Sequence, residues 1–311
     1  MSPIDEEEEL AWIALHESKK MRASDVEFIV SKLGSMSAFF NLSDSILRKE
    51  LGESQESNIR NRKYIDPRRY KKILTDLLQD GFSIIRYIDA EYPTGLKNVQ
   101  GNEEPPLLLY WKGQTPKFEK CIAVVGTRQC SHMGFETARA ISAELARRGY
   151  TIVSGLARGI DASAHHGALS VNGITIAVLP WVEKPYPPEH ANLLYDIVRS
   201  GGETSENYLQ REVSEKYRFV ERNRIISGIS DYIIAVESGE TGGTKWQVDI
   251  ALRQGKRVLA FKPPSDNSVA MKGYLSFIDK GAKSVASIED IVGMLKDSTV
   301  NDQNRGQIDS W

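Results

Sequence analysis

Cysteine is scarce in this chain, with two, Cys121 and Cys130, among 311 residues. Two thiols cannot make the disulfide framework of a small secreted domain, and neither has neighbours at metal-ligand spacing, so a reducing compartment and no metal are expected. Long apolar runs are missing too, and none approaches the roughly eighteen residues of a membrane-spanning helix. The opening MSPIDEEEEL is acidic, the reverse of a basic secretory leader, so the expected location is cytoplasmic. Charge of one sign is not in excess: 40 Lys and Arg stand against 42 Asp and Glu, for a formal net charge of −2. A nucleic-acid surface therefore has to be local rather than spread over the molecule. The full dinucleotide fingerprint G-x-G-x-x-G is absent as well; only Gly126 and Gly134 stand where it would fall.

At this length the chain is expected to divide in two. Residues 1–80 read as a small helical domain, with Leu10, Ile13 and Ala14, then Val26, Ile29, Val30 and Leu33, at helical spacing. From Phe82 the pattern changes to short strands, FSIIRYI and PPLLLYWKG. A strict alternation follows: strand 121–125, helix 133–148, strand 151–154, helix 161–171, strand 174–179, helix 189–199, then strand 232–236, helix 244–254, strand 257–261, helix 269–280, strand 282–285 and helix 288–295. Apolar strands alternating with amphipathic helices predict an α/β fold, a doubly wound and mostly parallel sheet over residues 81–297. Residues 298–311 are polar and aperiodic and are expected to be disordered.

Ligands on such sheets bind beyond the carboxyl ends of the strands. The first parallel strand, Cys121–Val125, runs into Gly126-Thr127-Arg128, and Ser131 is placed to cap the next helix, with Gly149 as its stop. A glycine loop opening a helix suits a phosphate, because the first helical N–H groups lack partners and the dipole favours negative charge. Arg128 adds a fork able to grip that phosphate. Strand 151–154 is followed by Ser154, Gly155, Arg158, Gly159 and Asp161; strand 174–179 by the rigid aromatic segment 180–190; strand 232–236 by a glycine-rich loop ending at Lys245. Ahead of that strand, Lys216, Arg218, Phe219, Arg222, Asn223 and Arg224 set one aromatic ring among cations, an interleaving that suits single-stranded nucleic acid. Each residue also has a plainer role open to it: Phe219 in the core, Arg222 and Arg224 paired with Glu206, Glu221 or Asp231, His165 and His166 as structural histidines, and the basic residues 60–72 as a solvated helix surface. A Ser131–Asp161–His165 triad has no nucleophile-elbow motif behind it.

In order and spacing these pieces resemble the DprA (Smf) family, DNA-processing proteins of bacterial transformation and recombination. The resemblance runs from about Tyr87 to Leu295 through D-A-E-Y-P at 89–93, P-P-L-L-L-Y-W-K-G at 105–113, V-G-T-R-x-x-S-x-x-G at 125–134, S-G-L-A-R-G-I-D-A-x-A-H at 154–165, Y-P-P-E-H at 186–190, S-E at 205–206, F-x-x-R-N-R-I-I-S-G-I-S at 219–230 and G-A-x-x-V-x-S-x-E-D-I at 281–291. It implies an extended Rossmann-like domain that binds single-stranded DNA as a homodimer and passes it to a RecA-type recombinase, without catalysis or cofactor. By this similarity Gly126, Thr127 and Arg128 hold backbone phosphate, Ser154, Gly155 and Arg158 line the same pocket, and Phe219 stacks on a base. Lys216, Arg222 and Arg224 follow the strand, and Asn223 hydrogen-bonds within the site. The chain departs from the family at Leu179-Pro-Trp-Val, at Ser238-Gly-Glu-Thr-Gly-Gly-Thr-Lys-Trp and at Lys262-Pro-Pro. The other reading is a Rossmann-like pocket for a nucleotide-derived small molecule. Gly242-Gly-Thr244 partly matches the P-G-G-x-G-T-x-x-E loop of nucleoside monophosphate hydrolases, but Gln247 stands near where that chemistry needs a carboxylate base.

Overall fold

The computed structural model describes residues 5–98, 104–182, 185–208, 215–263 and 269–305, without the side chains of 215–216 and 297–305. Six helices come first: α1 (Glu6–Ser18), α2 (Ala23–Leu33), α3 (Met36–Asn41), α4 (Asp44–Leu51), α5 (Glu56–Asn61) and α6 (Lys71–Gln79). Their ends follow from local chemistry. Asp5 caps α1, Ser35 caps α3 and Ser43 caps α4, while Gly34 takes the left-handed conformation after α2. The buried Glu8 carboxylate accepts from Trp12 Nε1 (2.8 Å) and from the backbone of Met36 (3.0 Å) and Ser37 (2.7 Å), tying α1 to the start of α3.

The sheet contains β1 (Ser83–Arg86), β2 (Leu108–Gly113), β3 (Cys121–Val125), β4 (Thr151–Ser154), β5 (Thr175–Val178), β6 (Gly202–Ser205), β7 (Tyr232–Ala235), β8 (Arg257–Phe261) and β9 (Lys283–Val285). Its helices are α7 (Thr94–Lys97), α8 (His132–Arg147), α9 (Ile160–Leu169), α10 (Ala191–Ser200), α11 (Glu215–Ile229), α12 (Gly243–Arg253), α13 (Val269–Asp279) and α14 (Ile288–Arg305). The nine strands lie in the order β1-β2-β6-β5-β4-β3-β7-β8-β9. All pairs from β6 to β9 are parallel, whereas β1–β2 and β2–β6 are antiparallel.

Strand alternation sorts the core onto two faces. Cys121, Ala123 and Val125 of β3 face Ile225 and Ile226 of α11 and Val248 of α12; Ile122 and Val124 face Ile141 of α8, Ile160 of α9 and Ile291 of α14. A third core joins α1–α6 to Leu108 and Tyr110 of β2, so the helical segment packs on the antiparallel edge of the sheet. Lys19, which ends α1, also pairs with Glu221 of α11 at 2.8 Å.

The doubly wound, mostly parallel α/β sheet is as expected. Strand β6 was not: Gly-Glu-Thr-Ser has no apolar run, yet it lies buried between β2 and β5. Helix α11 also carries no single apolar stripe, because it is buried on several sides and its buried residues include Arg218, Arg222 and Asn223. Helix α14 continues to Arg305 through the segment expected to be disordered, and residues 306–311 lie outside the described residues.

The winding reverses at β3, which has β4 on one side and β7 on the other. The loops leaving β3 and β7 therefore meet at the switch point, where such sheets open a crevice.

Candidate functional site

Three loops lock together at that crevice. Thr127 N–H donates to Glu237 O at 2.7 Å, and Ile160 N–H donates to Thr127 O at 3.2 Å. Gly159 has a φ of +75°, and a Cβ there would stand 2.4 Å from Thr127 O; only glycine allows the α9 loop to approach the β3 loop so closely. Between them opens a cavity of about 810 Å³, bounded by Gly126–Gln129, Phe219, Asn223, Gly242–Thr244 and Trp246.

The start of α8, the expected phosphate position, already holds an anion. The Glu237 carboxylate accepts from Ser131 Oγ (2.7 Å) and Ser131 N–H (3.0 Å), while Ser131 Oγ accepts from Gly134 N–H (3.0 Å). A Cβ on Gly134 would lie 2.0 Å from Glu237 Oε2. Ser131 is thus the helix cap, as expected, and is not free for a ligand. The start of α12, after Gly242 (φ +117°), has no side-chain cap and faces the cavity, as the start of α9 after Gly159 also does.

Arg128 is exposed and has no carboxylate partner among the described residues; its guanidinium lies 5.0 Å over the Phe219 ring. Phe219 is half-buried against Trp181 (5.9 Å) and Tyr186 (5.4 Å). Arg222, in contrast, is an internal strut. It is 5% exposed and donates Nη1 to Gly155 O (2.6 Å) and Val178 O (2.9 Å). Burial lowers its pKa to about 10, opposed by the Asp161 carboxylate and assisted by Arg128. Burial raises the pKa of Asp161, with Arg222 the main opposing influence. Gly155 makes room for this strut: a Cβ there would fall 1.7 Å from Arg222 Nη1.

Gly126, Thr127, Arg128, Arg158, Phe219, Arg222 and Asn223 thus line one cavity. Arg158 reaches it while paired with Glu189. Asn223 is 8% exposed, and its side-chain amide has no partner among the described residues. Ser154 is fully buried and donates to Val124 O at 2.7 Å, so it belongs to the core. Arg224 turns away, pairing with the buried Glu206 and donating to Glu104 O at 2.5 Å. Lys245 is half-buried and off the cavity wall, and the side chain of Lys216 lies outside the described residues.

His165 is buried, with Nδ1 2.7 Å from Thr175 Oγ1, and burial lowers its pKa to about 3, so it is a structural histidine and not part of a triad. Among the described residues no group of three His, Cys, Asp or Glu is placed to hold a metal. The basic segment 60–72 is largely neutralised, by Arg60–Glu56, Arg62–Asp44, Lys63–Asp44, Lys71–Glu6 and Lys72–Asp76. Three residues act in ways the sequence reading did not give them: Glu237 as the anion at the α8 start, and Tyr186 and Trp246 as rings on the cavity wall. A tryptophan directly after Gly-Gly-Thr-Lys was the available signal for the last; the position of Glu237 carried none.

Residues 83–296 match the sequence model of a family described as DNA recombination-mediator protein A. The chain is 32% identical to DNA processing protein DprA of Bacillus subtilis over 74% of its own length and 76% of that protein's. It is 39% identical to protein Smf of Escherichia coli over 56% of its length, but spans only 47% of that protein. Among solved structures, DprA of Streptococcus pneumoniae superposes with a TM-score of 0.71 at 25% identity, covering 93% of this chain and 98% of that one. DNA processing protein A of Helicobacter pylori, whose structure concerns its single-stranded DNA binding mode, superposes at 0.61 with 25% identity, covering 70% and 96%. Among the described residues no helix is long and apolar enough to cross a membrane.

Proposed function

The chain belongs to the DNA recombination-mediator protein A family, that of DprA and Smf, and on that premise we propose that it binds single-stranded DNA in the cavity between the β3, β4 and β7 loops. The observation that carries this reading is Arg128: a guanidinium without a carboxylate partner among the described residues, lying over an aromatic ring at 5.0 Å, in a cavity shared with an uncapped helix start. Arg128 and the first N–H groups of α12 supply positive charge for one or two phosphates. Gly126 and Thr127 shape the loop, and Asn223 offers an amide to a base or sugar. With a net charge of −2, attraction at long range is small and the affinity comes from this local set. The same reading places the protein in recombination, as a cytoplasmic homodimer that protects single strands and loads a RecA-type recombinase, with no catalytic step. Residues 81–297 serve as the binding domain, and 1–80 as a helical domain set on its antiparallel edge.

One observation favours a second reading. A cavity of about 810 Å³ beside Gly242–Thr244 has the size of a small-molecule site, so a nucleotide-derived ligand is the alternative. Fluorescence anisotropy with labelled oligo-dT, the matching duplex and a mononucleotide competitor separates the two. A single-strand binder shows affinity that grows with strand length and falls with salt; a nucleotide pocket saturates with the mononucleotide and responds weakly to salt.

A further inference from the structure

Trp246 stands uncovered at the rim of the cavity. It lies in the first turn of α12, borders the cavity beside Gly242–Thr244 and is 56% exposed. Among the described residues its ring meets no aromatic or cationic partner. An indole left in water forgoes the burial its area offers, and an open tryptophan at a cavity mouth marks a surface that a ligand covers.

Phe219, the ring that the sequence put forward, is closed. Phe219 has the Trp181 ring at 5.9 Å, the Tyr186 ring at 5.4 Å and the Arg128 guanidinium at 5.0 Å over its face. A base reaches Phe219 only if Arg128 moves aside, whereas Trp246 needs no rearrangement.

Polar groups near Trp246 also lack partners. The α12 start has no side-chain cap. Gln247 Oε1 is buried and accepts no hydrogen bond, although Gln247 Nε2 donates to Asn223 O (3.0 Å) and Ser227 Oγ (2.6 Å). The Asn223 side chain, also on the cavity wall, has no partner among the described residues. An apolar protein contact would cover the indole and leave all of these groups bare. A nucleotide matches each one: a flat base for the ring, a polar edge for the amides and a phosphate for the helix start.

We propose that Trp246 is a base-stacking surface, against which one nucleobase of a single strand lies while its phosphate sits at the start of α12, opposite Arg128. This inference rests on the single-strand reading above and adds a contact to it.

The test uses the full chain with two labelled strands of equal length, oligo-dT and an abasic strand that keeps the phosphates without bases. Trp246→Ala is expected to bind oligo-dT about ten-fold more weakly than wild type and the abasic strand equally well, with an unchanged unfolding midpoint because the ring is exposed. Trp246→Phe, which keeps a smaller ring, should retain most of the affinity while losing part of the tryptophan quenching seen when wild type binds. Unchanged oligo-dT affinity in Trp246→Ala overturns the proposal. An equal loss for both strands also overturns it, since the residue then shapes the loop instead of touching a base. A change in oligomeric state with DNA binding intact assigns the indole to a protein contact. If wild type itself fails to bind oligo-dT at low salt, the functional reading falls, and this inference falls with it.

Discussion

Ser131 gives both its hydroxyl and its backbone N–H to the carboxylate of Glu237, at 2.7 and 3.0 Å. Two loops distant in sequence are joined there, and the α8 start carries an internal anion where a ligand phosphate was expected. The positive end of α8 is spent on the fold, so the charge left to the cavity is that of the α12 start, of Arg128, and of Arg158 and Arg222, which line it while bound to protein partners.

Removing that carboxylate should therefore register as stability. Glu237→Ala leaves the Ser131 donors and the α8 start uncompensated, and is expected to cost about 1–2 kcal/mol in urea unfolding. Glu237→Gln, which keeps the acceptor oxygen but not the charge, should cost less. Equal losses would show that charge and not shape holds this junction.

Arg128→Ala should weaken single-strand binding whatever the sequence, because it deletes a phosphate contact and leaves base contacts alone. The slope of log affinity against log salt is expected to fall by about 0.7 for one phosphate on a single strand. Anisotropy titrations at several salt concentrations read both quantities. An unchanged slope removes Arg128 from the binding surface.

Arg222, the second arginine beside Phe219, should behave differently. Arg222→Ala strands Gly155 O and Val178 O and leaves the buried Asp161 without its nearest opposing charge. The expected loss is about 3 kcal/mol of folding stability. Thermal unfolding separates the pair: Arg128→Ala should melt like wild type, and Arg222→Ala well below it.

A pH effect follows from β6. Burial raises the Glu203 carboxyl from 4.5 to about 7, with Lys112, its cross-strand partner, opposing the shift. The folded chain keeps a proton there that the unfolded chain has released, so this group's contribution is fully present below about 4.5 and is lost as pH rises through about 7. Glu203→Gln removes that dependence. Between pH 4.5 and about pH 8, wild type should lose on the order of 1–3 kcal/mol relative to the variant, read by urea unfolding at each pH. A constant difference across that range would mean that Glu203 is charged in the fold.

Much of the architecture was legible in the chain. Strands such as Cys121–Val125 are buried on both faces and so read as unbroken apolar runs, and helices such as α8 carry an apolar stripe. The elements that escaped, β6 and α11, are those whose buried residues include many polar ones: Glu203 and Thr204 in one, Arg218, Arg222 and Asn223 in the other. Periodicity reports burial of apolar surface, so an element that buries polar groups gives no such pattern.

The candidate site divides along the same line. Sequence alone pointed to the loops after the parallel strands, because sheets of this kind bind ligands beyond the carboxyl ends of their strands. It also put forward Arg128, Phe219, Arg222 and Asn223, which line the candidate cavity. Only the tertiary structure decided how each is used: Arg128 faces the cavity, Arg222 braces two carbonyls beneath it, and Arg224 turns to Glu206. Three arginines have the same chemistry in sequence. What separates them is the partner each one reaches, and those partners arrive from other strands once the chain has folded.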